Sequence, residues 1–204
     1  MKQHTLAHPF TVEGKGLHTG LYLHATFTPA EDNYGIRLCR IDLPDQPTHH
    51  AYADYVSATE RGTVLEHGSW RISTVEHALS ALYAMGIDNC LISVDGAELP
   101  ILDGSAMPYI KAINESGIVE QQTEAEVYVV SEPIEYISEH GNRLQLLPSE
   151  SYQVDVHVSY PSQLLQSQRA ELNRLSDYLF VLARKINKSV NIEDVIWQKR
   201  AKNT

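Results

Sequence analysis

Cysteine is nearly absent from this sequence: only Cys39 and Cys90 occur in 204 residues, far apart and without Cys-x-x-Cys spacing. That rules out a disulfide framework and reads as two buried thiols in a reducing compartment, with a thiolate metal ligand as the alternative. Long apolar runs are absent too; none approaches the roughly 20 residues that a bilayer-spanning helix needs. The first ten residues, Met-Lys-Gln-His-Thr-Leu-Ala-His-Pro-Phe, lack the apolar core of a signal peptide, so the expected location is the cytoplasm. Positive charge is scarce. Sixteen Lys and Arg against 26 Asp and Glu leave a net charge of −10, which argues against a nucleic-acid or anionic-membrane partner. It leaves room for a local basic pocket that takes an anionic small molecule. No low-complexity tract is present, and 43% apolar with 21% charged residues is the composition of a folded domain with a real core.

What is present is a sheet-forming pattern interrupted by two helices. Residues 21–28 are rich in β-branched and aromatic side chains and end at Pro29, and residues 34–41 alternate apolar with polar. A helix is expected from about Thr74 to Met85, with Val75, Leu79 and Leu82 on its core face. Ser73 and Glu76 stand at capping-box spacing, and Gly86 stops the helix. Residues 89–94 read as a buried strand followed by a turn at Asp95-Gly96. A second helix is expected from Met107 or Pro108 to Ser116, closed by Gly117. After a polar stretch at 120–126, strand patterns return at 127–130, 134–137, 143–148 and 152–160. The expected class is therefore α+β: two small sheet-plus-helix domains packed together, 1–120 and 127–178, the second incomplete. Residues 179–204 hold six basic and two acidic side chains. A helix could start at 179–182, and poor order is expected from about Asn187.

The chemistry concentrates at Ser73-Thr74-Val75-Glu76-His77-Ala78-Leu79-Ser80-Ala81-Leu82, where a carboxylate and an imidazole are neighbours at a helix start. Hydrolysis of an unactivated amide uses a metal-bound water with a base beside it, and adjacent helical side chains can lean toward one rim of a pocket. The plainer reading makes Glu76 the capping-box partner of Ser73 and His77 a structural histidine. A catalytic zinc usually takes three protein ligands, and every one of the ten histidines lies at or before His157. His49, His50 and His67 flank loops and are expected to be solvated. His18, between glycines, rides a tight turn or lines a backbone that approaches substrate closely. Asp103-Gly104-Ser105 reads as turn and helix-cap chemistry.

Four ordered segments together resemble one family: Gly14-Lys15-Gly16-Leu17-His18-Thr19-Gly20, the Glu76-His77 run, Gly86-Ile87-Asp88-Asn89-Cys90, and Pro100-Ile101-Leu102-Asp103-Gly104-Ser105-Ala106. The family is UDP-3-O-acyl-N-acetylglucosamine deacetylase, the zinc amidase of lipid A synthesis in Gram-negative bacteria. The likeness covers roughly residues 2–178. It implies two packed α+β domains with the active site between them, and a UDP-sugar lipid substrate that loses its N-acetyl group as acetate. By position, Glu76 resembles the general base and His77 the first zinc ligand; His18 and Thr63 fall where the family lines its substrate site. Some family members are fused to a 3-hydroxyacyl-[acyl-carrier-protein] dehydratase, a module that this sequence does not show.

The departure is as specific as the likeness. The family draws its other two zinc ligands from a late His-Lys-x-x-Asp helix and an acid from a further histidine, and the sequence after Tyr178 offers neither. The expectation is a chain of deacetylase ancestry without catalysis of its own. The competing reading is a catalytically dead sugar-nucleotide-binding or regulatory protein.

Overall fold

Period-two alternation builds the central sheet. The computed structural model describes residues 1–127, 129–139, 141–149, 153–159 and 168–172. After β1 (Lys2–Leu6), a hairpin forms from β2 (Phe10–Lys15) and β3 (Tyr22–Pro29). On β3, Leu23, Ala25 and Phe27 are buried while Tyr22 and His24 face solvent. Next come β4 (Ile36–Arg40) and β5 (Thr48–His50), then a one-turn 3-10 helix at Ala53–Tyr55. A separate antiparallel sheet consists of β6 (Val56–Ala58), β7 (Val64–His67) and β8 (Trp70–Ser73).

Helix α1 (Glu76–Ala84) leads into β9 (Cys90–Val94), which inserts between β3 and β4 and completes the order β2-β3-β9-β4-β5. The β9 strand runs parallel to β4 and antiparallel to β3, with Cys90, Ile92 and Val94 turned inward. Helix α2 (Met107–Ser116) follows, and β10 (Ile118–Glu124) returns to pair antiparallel with β1. Beyond it, β11 (Ile134–Ile137) pairs with β12 (Arg143–Leu146), and β13 (Val154–Val158) with β14 (Gln168–Leu172). The fold is mixed α+β, and both helices among the described residues belong to its first part.

One core joins the sheet to the helices. Ala78, Ala81 and Leu82 of α1 and Tyr109 and Ile113 of α2 bury against Phe27, Leu38, Ile92 and Val94. Phe27 stacks on Phe10 with ring centres 4.7 Å apart and meets Tyr109 at 5.8 Å. The Tyr109 hydroxyl donates to the Pro100 carbonyl at 2.8 Å, so its polar end is satisfied inside the core. Both helices end where expected, because Gly86 (φ 69°) and Gly117 (φ 79°) take the left-handed turn that a side chain would resist.

Several expectations need correction. Residues 127, 129 and 130 lie in no strand, although their composition favours one. The capping box does not form: Val75 is the N-cap and makes no side-chain cap bond, while the Ser73 hydroxyl donates to the Ala97 carbonyl. His49 and His50 are half-buried in β5, and the His49 ring packs 4.8 Å from that of His67 and 5.1 Å from Trp70. Cys39 and Cys90 are free and buried, as expected. The helix start at 179–182 and the tail from 187 lie outside the described residues.

Candidate active site

Residues 59–63 link β6 to β7 and bring the predicted site residues together. The Thr63 N–H donates to Glu76 Oε2 at 2.8 Å, a charge-assisted bond that fixes the carboxylate at the first residue of α1. The other oxygen, Oε1, stands 3.9 Å from His77 Nε2; the two side chains are 15% and 13% exposed, shielded yet open to a small molecule. From the opposite side, His18 Nε2 contacts the Arg61 carbonyl at 3.1 Å. A carbonyl only accepts, so this ring nitrogen carries the proton.

Gly62 explains how the groups share one place. A Cβ there would lie 3.4 Å from His18 Nε2, 3.5 Å from Glu76 Oε1 and 3.8 Å from Thr74 Oγ1. The missing side chain is the gap into which imidazole, carboxylate and hydroxyl converge. Both flanks are conformationally unusual: Arg61 (φ 59°) and Thr74 (φ 59°) are left-handed non-glycine residues. For a buried, β-branched threonine that backbone is an outlier, and such strain gathers at functional sites.

A residue that the sequence reading passed over underlies the assembly. Glu98 is fully buried. Its Oε1 accepts from the His18 N–H at 2.9 Å and the Thr74 hydroxyl at 3.0 Å, and its Oε2 from the Thr19 N–H at 2.8 Å. Burial alone would push its pKa up. The His18 and Thr19 N–H groups and the Thr19 and Thr74 hydroxyls outweigh burial and hold the carboxyl below its ordinary range. The signal was available: Glu98 is a lone acid beside Leu99-Pro100-Ile101-Leu102, and an acid in apolar surroundings marks a buried, partnered carboxylate. Tyr109, beneath the site, has its phenol pKa raised, mainly by burial and further by the Glu76 charge.

The donor set does not complete a metal centre. Among the described residues no three His, Cys, Asp or Glu side chains converge to hold an ion. His77 is one well-placed imidazole, and a catalytic zinc needs more. What the arrangement offers by itself is a fixed carboxylate able to take a proton, flanked by two imidazoles and backbone amides.

Residues 3–188 match the family model described as UDP-3-O-acyl N-acetylglycosamine deacetylase. The chain is 49% identical over 178 residues to the bifunctional enzyme LpxC/FabZ of Porphyromonas gingivalis, covering 87% of this chain and 38% of that protein. Its counterpart of the same name in Bacteroides thetaiotaomicron is 48% identical over 179 residues, covering 87% and 39%. The UDP-3-O-acyl-N-acetylglucosamine deacetylase of a Psychrobacter species is 41% identical over 160 residues, covering 78% and 54%. The sequence thus spans between about two fifths and half of these relatives, and over that span the chain belongs to the UDP-3-O-acyl N-acetylglycosamine deacetylase family.

Proposed function

We propose that this chain carries the base and first-ligand portion of a zinc-dependent deacetylase of lipid A biosynthesis. Its substrate is UDP-3-O-(3-hydroxyacyl)-N-acetylglucosamine, and its place of work is the cytoplasm. Glu76 is the general base, His77 offers one imidazole to zinc, and His18 and Thr63 line the substrate site. The observation that carries this reading is the Glu76 carboxylate, pinned by the Thr63 N–H with its free oxygen 3.9 Å from His77 Nε2. A carboxylate held this way accepts a proton from an attacking water without first reorganising. Zinc, when bound, would polarise the amide carbonyl and acidify its water.

The described residues lack a three-ligand cluster, which favours a second, narrower statement about this sequence taken alone. We propose that residues 1–204 bind UDP-sugar without turning it over, the behaviour of a catalytically silent binding protein. In domain terms, 1–120 forms the unit that holds the site, 127–178 a partial second unit, and 179–204 a tail outside both.

Elemental analysis for zinc and an assay for released acetate separate these statements. The 204-residue chain should hold less than one zinc and release no acetate. A longer protein joining this chain to the remaining ligands should turn over, and Glu76→Gln should slow it by about 100-fold or more. Stoichiometric zinc with turnover in the short chain overturns its silence. An unaffected Glu76→Gln in the longer protein overturns the base assignment.

A further inference from the structure

Glu98 is a carboxylate removed from water with no Lys or Arg paired to it among the described residues, an arrangement that bulk stability alone does not favour. Its charge is met by dipoles. The turn after β2 presents the N–H groups of His18 and Thr19 to it, a backbone nest of the kind that binds anions. Gly16 makes the nest possible, since a Cβ there would collide with Glu98 Oε2 and Thr19 Oγ1. The segment carrying Glu98 is itself fixed on two sides. Ser73 N–H donates to the Ala97 carbonyl at 2.9 Å, Leu99 N–H to Ser73 at 3.0 Å, and Ile101 N–H to Lys15 at 3.0 Å. This strap therefore ties the end of β8 to the end of β2.

We propose that Glu98 is a positioning residue of the active site: by gripping the His18 turn and the Thr74 hydroxyl at once, it sets the His18 imidazole against Glu76 across Gly62. Thr74 lies two residues before Glu76, and its strained backbone is held by a buried bond to the same oxygen that receives His18. One side chain thus fixes both walls of the cleft, although it touches neither Glu76 nor the His18 ring. The carboxylate form is required. A glutamine has one oxygen and one NH2, so whichever way the amide turns its NH2 would face the N–H of His18 or of Thr19. The meaning of this placement for catalysis rests on the deacetylase reading; the placement itself does not.

The test uses the isotope-labelled 204-residue chain and its variants Glu98→Gln, Thr74→Val and Thr74→Ser. The readouts are the His18 ring nitrogen shifts, hydrogen exchange at the His18 and Thr19 amides, and titration with UDP, with the His24 ring as a distant reference. Glu98→Gln should abolish the protonated-Nε2 signature of His18 and speed exchange at both amides by about 100-fold or more, leaving His24 unchanged. Thr74→Val should move His18 in the same direction and Thr74→Ser, which keeps the hydroxyl, should restore it; UDP binding should weaken by about tenfold in the first two variants. Folded Glu98→Gln and Thr74→Val chains whose His18 signals stay at their original positions overturn the proposal, even if both are less stable. If Glu98→Gln does not fold, the Thr74 pair decides by the same criterion. Failure of the unaltered chain to bind UDP counts against the deacetylase reading, while the His18 signals still decide the role of Glu98.

Discussion

Gly16→Ala adds a single methyl group, and the structure says what it displaces. Gly16 is buried, and its backbone is not of the left-handed kind, so alanine meets no conformational penalty there. The penalty is steric: the new Cβ would collide with Glu98 Oε2 and Thr19 Oγ1 and stand 2.8 Å from Glu98 Cδ. The Thr19 hydroxyl can turn toward solvent, but the Glu98 atoms cannot, because that carboxylate is fully buried and bonded on both oxygens. Yielding means giving up the Oε2 bonds to the Thr19 N–H at 2.8 Å and the His18 N–H at 3.3 Å. Bonds to a charged acceptor are worth about 1.5–3 kcal/mol each, so losing two costs about 3–6 kcal/mol. At roughly 2–4 °C per kcal/mol for a chain of this size, the melting temperature should fall by about 6–24 °C. Gly14→Ala is the control, since its Cβ would meet Leu102 and Pro100 at ordinary contact distances of 3.5 and 3.6 Å. That variant should stay within about 1 kcal/mol of the parent. Urea unfolding followed by circular dichroism measures both. Equal losses for the two variants would refute the buried-carboxylate cradle.

Phe27→Ala removes a ring stacked on Phe10 and tilted against Tyr109 in the core and should cost about 3–5 kcal/mol by the same urea assay. The Cys90 thiol, pushed up to about 12 by burial, should resist a thiol reagent at pH 8 in the folded chain and react once urea exposes it. Burial, then the neighbouring His67, lower the His49 pKa below its ordinary 6.5. The folded state therefore binds fewer protons than the unfolded one. The stability that neutral His49 contributes is full above about pH 6.5 and lost as pH falls through the lower folded value. Melting temperatures measured from pH 7.5 to 5 should show that decline, and His49→Gln should flatten it.

Local pattern carried most of the first part of the fold. The β-branched and aromatic run at 21–28 became β3, the alternation at 34–41 became β4, the buried-strand pattern at 89–94 became β9, and the helical period with its closing glycines became α1 and α2. The errors share a cause: they depend on partners distant in sequence. Ser73 looked like a cap, but pairing of residues 97–99 with the end of β8 claims its hydroxyl. The histidines of β5 looked solvated because that strand and its neighbour β7 are too short to show alternation, while His67 is exposed as expected. Once formed, they pack His49 against His67 and Trp70. Residues 127–130 carry β-favouring side chains, yet propensity acts only where a neighbouring strand offers a surface, and none pairs with residues 127, 129 and 130. At the site, the motif resemblance singled out His18, Thr63, Glu76 and His77, and the fold places them around Gly62. Glu98 was missed because the matched motif began two residues later, at Pro100.

The pairing of Lys2 with Glu124 sets a timetable for synthesis. During translation at roughly 5–20 residues per second, β1 leaves the ribosome about 6–25 seconds before β10 does. Throughout that interval Leu6, 1% exposed in the finished protein, lacks Ile118, the residue it faces on β10. The β1–β10 ladder therefore closes late, and slowing elongation across residues 7–117 should lower the soluble yield.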